Sequence, residues 1–252
     1  CDKGAVMGAA LEITGLTLRF GGVTALDQVS LSLTAGSVLG IAGPNGSGKS
    51  SLINVLTGHY PAEGTIRFDG HPIEGLSPAR RAQLGITRTF QAPRLYRRMT
   101  VLENLHAACH AQRSLFQGQA TRRRDKENAA DSLARFGLGA LADAMPDRLT
   151  PFEQRLLELA RAHVSGARLL LLDEPAAGAT EDEARNLADV MAKHLIPGRS
   201  VILIEHRMDV LRALCTELAV LDAGRLLANG PVDTVLASHA VRARLMGEIG
   251  DA

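Results

Sequence analysis

The sequence predicts an α/β fold: a parallel-sheet core with an antiparallel β layer and a helical subdomain inserted at about residues 93–165. Three observations predict it. Short, largely apolar runs at 37–42, 168–172 and 200–204 have the composition of strands buried on both faces. After residue 165 such runs alternate with helix-like segments, the order of βαβ units. Near the start the pattern changes to alternation, apolar at Leu11, Ile13, Leu16 and Leu18 and again across 29–33, which suits a half-exposed antiparallel pair.

Taken in order, 11–20 opens as a strand and 29–33 pairs with it. The run 37–42 is the first core strand, and 51–57 has helical apolar spacing that stops at Gly58. Residues 64–70 form a strand between turn signals, and 71–99 are mixed and loop-rich. Thr100-Val101-Leu102-Glu103 is a capping box, opening a helix to about Gln112. Further helices cover 121–136, closed by Gly137, and 153–164, with Leu156, Leu157, Leu159 and Ala160 inward. The strand 168–172 comes next, then a second capping box, Thr180-Glu181-Asp182-Glu183, leading a helix to about Leu195. Strands at 200–204, 217–221 and 225–228 complete the chain.

The 252 residues suit one domain with a small subdomain, or at most two domains. A net charge of +1 sets up no field that would draw nucleic acid or an acidic membrane surface. Aromatic residues, 3% of the chain, are too few for single-strand stacking platforms. Cys1, Cys109 and Cys215 are scattered, without disulfide or zinc spacing, and fit a reducing compartment. No apolar run reaches membrane-span length, and no signal peptide is visible. Residues 1–6, before Met7, look unlike the rest of the chain; 1–10 read as a leader, tag or fusion remnant, and 248–252 as a tail. The run Arg122-Arg123-Arg124-Asp125-Lys126 reads as a solvated helix face, because Asp125 and Glu127 interrupt its charge.

The chemistry is concentrated in two places. Gly43-Pro44-Asn45-Gly46-Ser47-Gly48-Lys49-Ser50 matches the phosphate-binding pattern G-x-x-x-x-G-K-[ST] of the P-loop NTPases, between a strand and a helix start. A chain of this length meets that pattern by chance roughly once in a hundred. Its glycines let backbone N–H groups turn inward around phosphate oxygens, and the helix N-terminus adds its dipole. Lys49 reaches the β- and γ-phosphates, and the Ser50 hydroxyl is a candidate Mg²⁺ ligand. Downstream, the apolar strand ends in Asp173-Glu174. Asp173 is a candidate Mg²⁺ ligand through water, and Glu174 a candidate to polarise the water attacking the γ-phosphate.

With these motifs the chain resembles the ATP-binding subunits of ABC transporters, in particular the ATPases of branched-chain amino-acid importers. The resemblance covers residues 10–247 and is carried by Arg19-Phe20-Gly21-Gly22, Thr89-Phe90-Gln91, the segment Arg97-Arg98-Met99-Thr100-Val101-Leu102-Glu103-Asn104-Leu105, Asp173-Glu174-Pro175-Ala176-Ala177-Gly178 and Ile204-Glu205-His206-Arg207-Met208-Asp209. It implies a RecA-like ATPase domain over 11–247 that binds ATP and Mg²⁺. It also implies that Phe20 stacks on adenine, that Ser51 extends the phosphate loop, and that Gln91 senses the γ-phosphate through Mg²⁺ or the attacking water. His206 is implied as a γ-phosphate switch residue. The implied partners are a second ATPase subunit, permease subunits and, indirectly, an extracytoplasmic solute-binding protein, with the chain peripheral on the cytoplasmic face of the inner membrane.

The sequence departs from that family at its signature, L-S-G-G-Q or L-S-x-G-[EQ]-Q. Here the segment reads Leu149-Thr150-Pro151-Phe152-Glu153-Gln154. Thr150 keeps the hydroxyl that would face a partner's nucleotide, but Phe152 stands in place of the second glycine. A ring there is expected to obstruct close approach of backbone to phosphate. Ala179-Thr180 replaces the usual Leu-Asn or Leu-Asp. These departures predict asymmetric ATP sites in a heterodimer. The alternatives are a weakly hydrolysing regulatory subunit and a non-transport ABC ATPase; the second would usually carry a second ATPase domain, zinc modules or long coiled coils.

Overall fold

A computed structural model of the chain describes residues 9–109 and 119–246. The leader up to residue 8, the far end of the helix expected to reach Gln112, the side chains of the 122–126 run and the 248–252 tail lie outside the described residues.

Two sheets form the frame. The first is antiparallel, in the order β2-β1-β4-β5, from β1 (Ala9–Phe20), β2 (Val23–Thr34), β4 (Glu63–Phe68) and β5 (His71–Pro72). The second has six strands in the order β10-β9-β3-β8-β7-β6. Its members are β3 (Val38–Ala42), β6 (Ile86–Arg88), β7 (Leu169–Asp173), β8 (Ser200–Ile204), β9 (Glu217–Asp222) and β10 (Arg225–Pro231). All neighbours in it pair in parallel except β9 and β10.

Strand pleating divides the second sheet's side chains between two cores. Leu39, Ile41, Leu169, Leu171, Ile202 and Ile204 face the antiparallel sheet and helix α1 (Lys49–Leu56). Val38, Ala42, Leu170, Leu172, Val201 and Leu203 face the opposite core. That core holds the helices α3 (Val101–Cys109), α4 (Gln119–Arg135), α5 (Pro151–Val164) and α6 (Glu181–Val190), the last extended by a π turn at Met191–Leu195. Burial on both faces explains why these strands read as unbroken apolar runs rather than alternating ones.

Several elements differ from expectation. β2 begins at Val23, not near 29, because register shifts and the left-handed Gln28 (φ 54°) break its alternation while pairing continues around the turn after Phe20. The loop-rich 71–99 stretch holds β5, β6 and α2 (Pro78–Gln83), whose N-cap is Ser77 with Pro78 in the first turn. The third expected helix starts two residues early, at Pro151, where a missing N–H costs nothing. Helix α7 (Met208–Leu214) starts just after His206, while α8 (Val232–Ala237) and α9 (His239–Met246) lie outside the expected elements.

Candidate active site

The site arises from strand order. β3, β8, β7 and β6 are contiguous, and the candidate residues leave their C-terminal ends, where open parallel sheets bind ligands. Register levels three of the tips, since Ile41 and Asp173 both pair with Ile204.

The loop 43–50 leaves β3. Gly43 has φ 147°, and a Cβ there would lie 2.1 Å from the Leu221 carbonyl oxygen. Gly48 caps α1 at φ 106°, where a Cβ would lie 2.7 Å from the Ala25 carbonyl oxygen. Both positions therefore exclude any side chain, and they set the curl of the loop. Lys49 is buried, and its Nζ donates to the carbonyls of Gly43 (2.6 Å) and Pro44 (2.9 Å), so its charge lies within that curl. Ser50 and Ser51 occupy the first turn of α1, Asn45 and Gly46 stand exposed at the loop's bend, and Ser47 is buried beneath it.

Gln91, Glu174 and His206, distant in sequence, meet in one hydrogen-bonded group. Gln91 Nε2 donates to Glu174 Oε2 at 2.9 Å, and His206 Nε2 lies 3.0 Å from Glu174 Oε1. Glu174 itself has φ 48°, a left-handed backbone that side-chain-bearing residues seldom adopt. Asp173 ends β7 with its backbone N–H on Thr89 Oγ1 (3.2 Å).

The loop carrying Gln91 is gripped from α5. Arg155 donates to the carbonyls of Phe90 (2.7 Å) and Gln91, and Glu158 accepts the Phe90 N–H at 3.0 Å. Arg155 and Glu158 pair with each other at 2.7 Å, both nearly buried. Burial pushes the Glu158 carboxyl up, offset by the Phe90 N–H and by Arg155. Thr150 caps that same helix: its hydroxyl accepts the Glu153 N–H at 3.2 Å and donates to the Glu153 carboxylate at 2.9 Å. Phe152 packs partly buried against the main core. Thr150, Phe152, Gln91 and Ala177 to Ala179 line a shared cavity of about 360 Å³.

Phe20 ends β1, 46% exposed, and meets Tyr60 edge-on with ring centroids 5.1 Å apart. An aromatic face left open at the surface suits base stacking.

The donor set suits Mg²⁺. Among the described residues no group of three or more His, Cys, Asp or Glu could hold a metal by themselves. Asp173, Ser50 and Gln91 offer only oxygens for such an ion, and Mg²⁺ takes few protein oxygens together with substrate phosphates.

Arg88, Tyr60 and Glu205, like Arg155 and Glu158, take their roles from the structure and not from the sequence. Arg88, at the end of β6, donates to Asp173 Oδ2 at 2.7 Å and to Asn54 Oδ1 at 2.6 Å. Nothing local marked it. Tyr60, beside Phe20, was equally silent. Glu205, buried after β8, could have been noticed, because it comes after an apolar strand as Asp173 and Glu174 do.

Fold and site together define a P-loop ATPase. Known proteins narrow this class. Residues 26–177 match the family model described as ABC transporter. The chain is 38% identical to the high-affinity branched-chain amino acid transport ATP-binding protein LivG of Salmonella typhimurium over 94% of this chain and 98% of that one. It is 37% identical to BraF of Pseudomonas aeruginosa, which bears the same description, at the same coverage. The ADP conformation of MJ1267, an ATP-binding cassette of an ABC transporter, superimposes with a TM-score of 0.82 at 30% identity, covering 97% of this chain and 100% of that one. The chain belongs to the ABC transporter family, as an ATP-binding, ATP-hydrolysing member. No helix among the described residues is long and apolar enough to cross a membrane.

Proposed function

We propose that the chain is the motor subunit of an importer for branched-chain amino acids or similar small solutes. It would lie on the cytoplasmic face of the inner membrane against permease subunits, supplied by an extracytoplasmic solute-binding protein. The observation that carries the motor reading is the joined group Gln91, Glu174 and His206, placed level with the phosphate loop. The solute class rests on the resemblance to LivG and BraF.

In this reading the 43–51 backbone and Lys49 hold the phosphates, and Phe20 stacks on adenine. Ser50, Asp173 and Gln91 would hold Mg²⁺, which would supply positive charge against the phosphate oxygens. Glu174 orients and polarises the attacking water. His206 keeps the Glu174 carboxylate in place and reaches towards the γ-phosphate. The Arg155 and Glu158 grip ties the Gln91 loop to α5, so a displacement at Gln91 would carry towards the signature at Thr150.

Glu174→Gln tests the motor reading. Turnover by the assembled transporter falls about 10²–10⁴-fold, the worth of a general base, while ATP affinity holds. Unchanged turnover removes Glu174 from its role.

Phe152 favours asymmetry within that reading. The phosphate-loop half of this chain's site is complete in sequence, whereas the signature it lends to a partner carries a ring where glycine is usual. We infer a heterodimer in which a partner's intact signature completes the working site here. Phe152→Gly then raises hydrolysis at the partner's site; if it leaves total turnover untouched, the ring is no obstacle. A regulatory subunit that binds ATP but barely hydrolyses it is the second reading, and Phe152 is the residue that favours it.

A further inference from the structure

Glu205 is only 2% exposed, although it neighbours the hydrolytic group. Its two oxygens are shared between two loops. Oε1 accepts the N–H of Ala176 at 2.7 Å, in the turn after Glu174. Oε2 accepts the N–H of His206 at 3.1 Å. Those loops also meet through their side chains, His206 Nε2 lying 3.0 Å from Glu174 Oε1. A ring therefore closes: Glu174, Ala176, the Glu205 carboxylate, His206, and back to Glu174. The floor of the ring is strand-like, since the Glu174 N–H donates to the Ile204 carbonyl at 3.0 Å.

The ring answers a specific need. Glu174 holds φ 48°, and such a backbone persists only where its surroundings over-determine it. The turn is tied by the Ala177 N–H on the Glu174 carbonyl at 3.1 Å and, between them, by the Ala176 N–H on Glu205. Ala176 is buried, so without Glu205 its N–H would have no acceptor. An ionised carboxylate suits the place because it accepts on both oxygens. Burial pushes the Glu205 carboxyl up and the nearby Glu174 charge adds to this, against three opposing backbone donors at Ala176, Arg207 and His206.

We propose that Glu205 is a positioning residue for hydrolysis, fastening the Glu174 turn and the His206 loop to one buried carboxylate. It is too buried to touch nucleotide, and it acts through the two residues it aligns. The inference rests on the reading of Glu174 and His206 as the hydrolytic pair.

Glu205→Gln tests it, because the amide keeps the shape but turns an NH₂ towards a backbone N–H on one side. In the assembled transporter, kcat per nucleotide-binding site falls about a hundredfold, the cost of displacing a catalytic group by roughly 1 Å. KM for ATP stays as in the wild type, because the 43–51 loop is untouched. A residue that only stabilised the fold would lower the number of binding sites and leave kcat per site intact. Wild-type kcat per site overturns the proposal. Amide hydrogen exchange in the nucleotide-free chain gives an independent arm. Exchange at Ala176 and His206 accelerates at least tenfold in Glu205→Gln, as expected when a buried bond opens. Unchanged exchange at both amides overturns the proposal even if hydrolysis falls. If Glu174→Gln hydrolyses ATP like the wild type, the functional reading fails instead, and the exchange arm still decides whether Glu205 holds the two loops.

Discussion

Replacing Arg88 by Met is the most informative perturbation of this fold. The guanidinium lies 2.7 Å from Asp173 Oδ2, and the two side chains are 13% and 8% exposed. It also donates to Asn54 Oδ1 at 2.6 Å and lies 4.9 Å from the Phe90 ring centroid. Met fills a similar length but leaves a carboxylate buried without its cation, which costs about 3–5 kcal/mol. For a domain of this size each kcal/mol moves Tm by about 2–4 °C, so the melting point drops by roughly 10 °C. Thermal unfolding in chelator without nucleotide measures this, so that ligand linkage contributes nothing. Combining Arg88→Met with Asp173→Asn removes both charges, and the double variant loses less than the sum of the single ones. The coupling energy is on the order of 2 kcal/mol. A Tm shift under about 2 °C for Arg88→Met, or strict additivity of the pair, refutes the claim that this ion pair ties α1, β6 and β7 together.

The glycines of the phosphate loop and one partly buried histidine give two further tests. Gly43→Ala forces a Cβ to 2.1 Å from the Leu221 carbonyl oxygen; it destabilises the chain by at least the 1–3 kcal/mol typical of overpacking and abolishes nucleotide binding. Gly46→Ala is the control, because its Cβ meets nothing within 4 Å; it loses only the cost of φ 78°, about 1–2 kcal/mol, in the same thermal and nucleotide-titration assays. His163 is pushed down to about 4, by burial first and then by Arg199, with Arg135 and His194 adding to a shift that a backbone bond at His194 partly opposes. The unfolded histidine takes up its proton near pH 6.5, so stability is full above that value and falls as pH drops towards 4. Allowing for screening at its partly exposed ring, the loss is roughly 2 kcal/mol. Denaturant unfolding of His163→Gln between pH 4 and 7 shows a flatter profile, and an unaltered slope assigns the acid sensitivity elsewhere.

The sequence reading succeeded where one local pattern does one job. The apolar runs became β3, β7, β8 and β9 because strands buried on both faces keep polar residues to their ends. The boxes at Thr100 and Thr180 begin α3 and α6, because capping chemistry acts within four residues. It failed where pairing or distant packing decides. β6 spans three residues and is a strand because β7 lies beside it. α7 to α9 are short helices whose buried faces are completed by β9, β10 and by neighbouring helices. The strand before residue 29 was hidden by register shifts that interrupt its alternation.

The same division holds at the site. The sequence alone determined the phosphate loop, because the eight residues 43–50 contain their own glycines, lysine and helix start, and it determined the two carboxylates that end β7. Only the tertiary structure decided that Gln91, Glu174 and His206 touch, that Arg88 neutralises Asp173, and that Glu205 ties two loops together. The reason is physical. A phosphate cradle is built from consecutive backbone N–H groups and is therefore written locally. The group of Gln91, Glu174 and His206 is assembled from the loops that follow β6, β7 and β8, whose adjacency exists only after the sheet has formed.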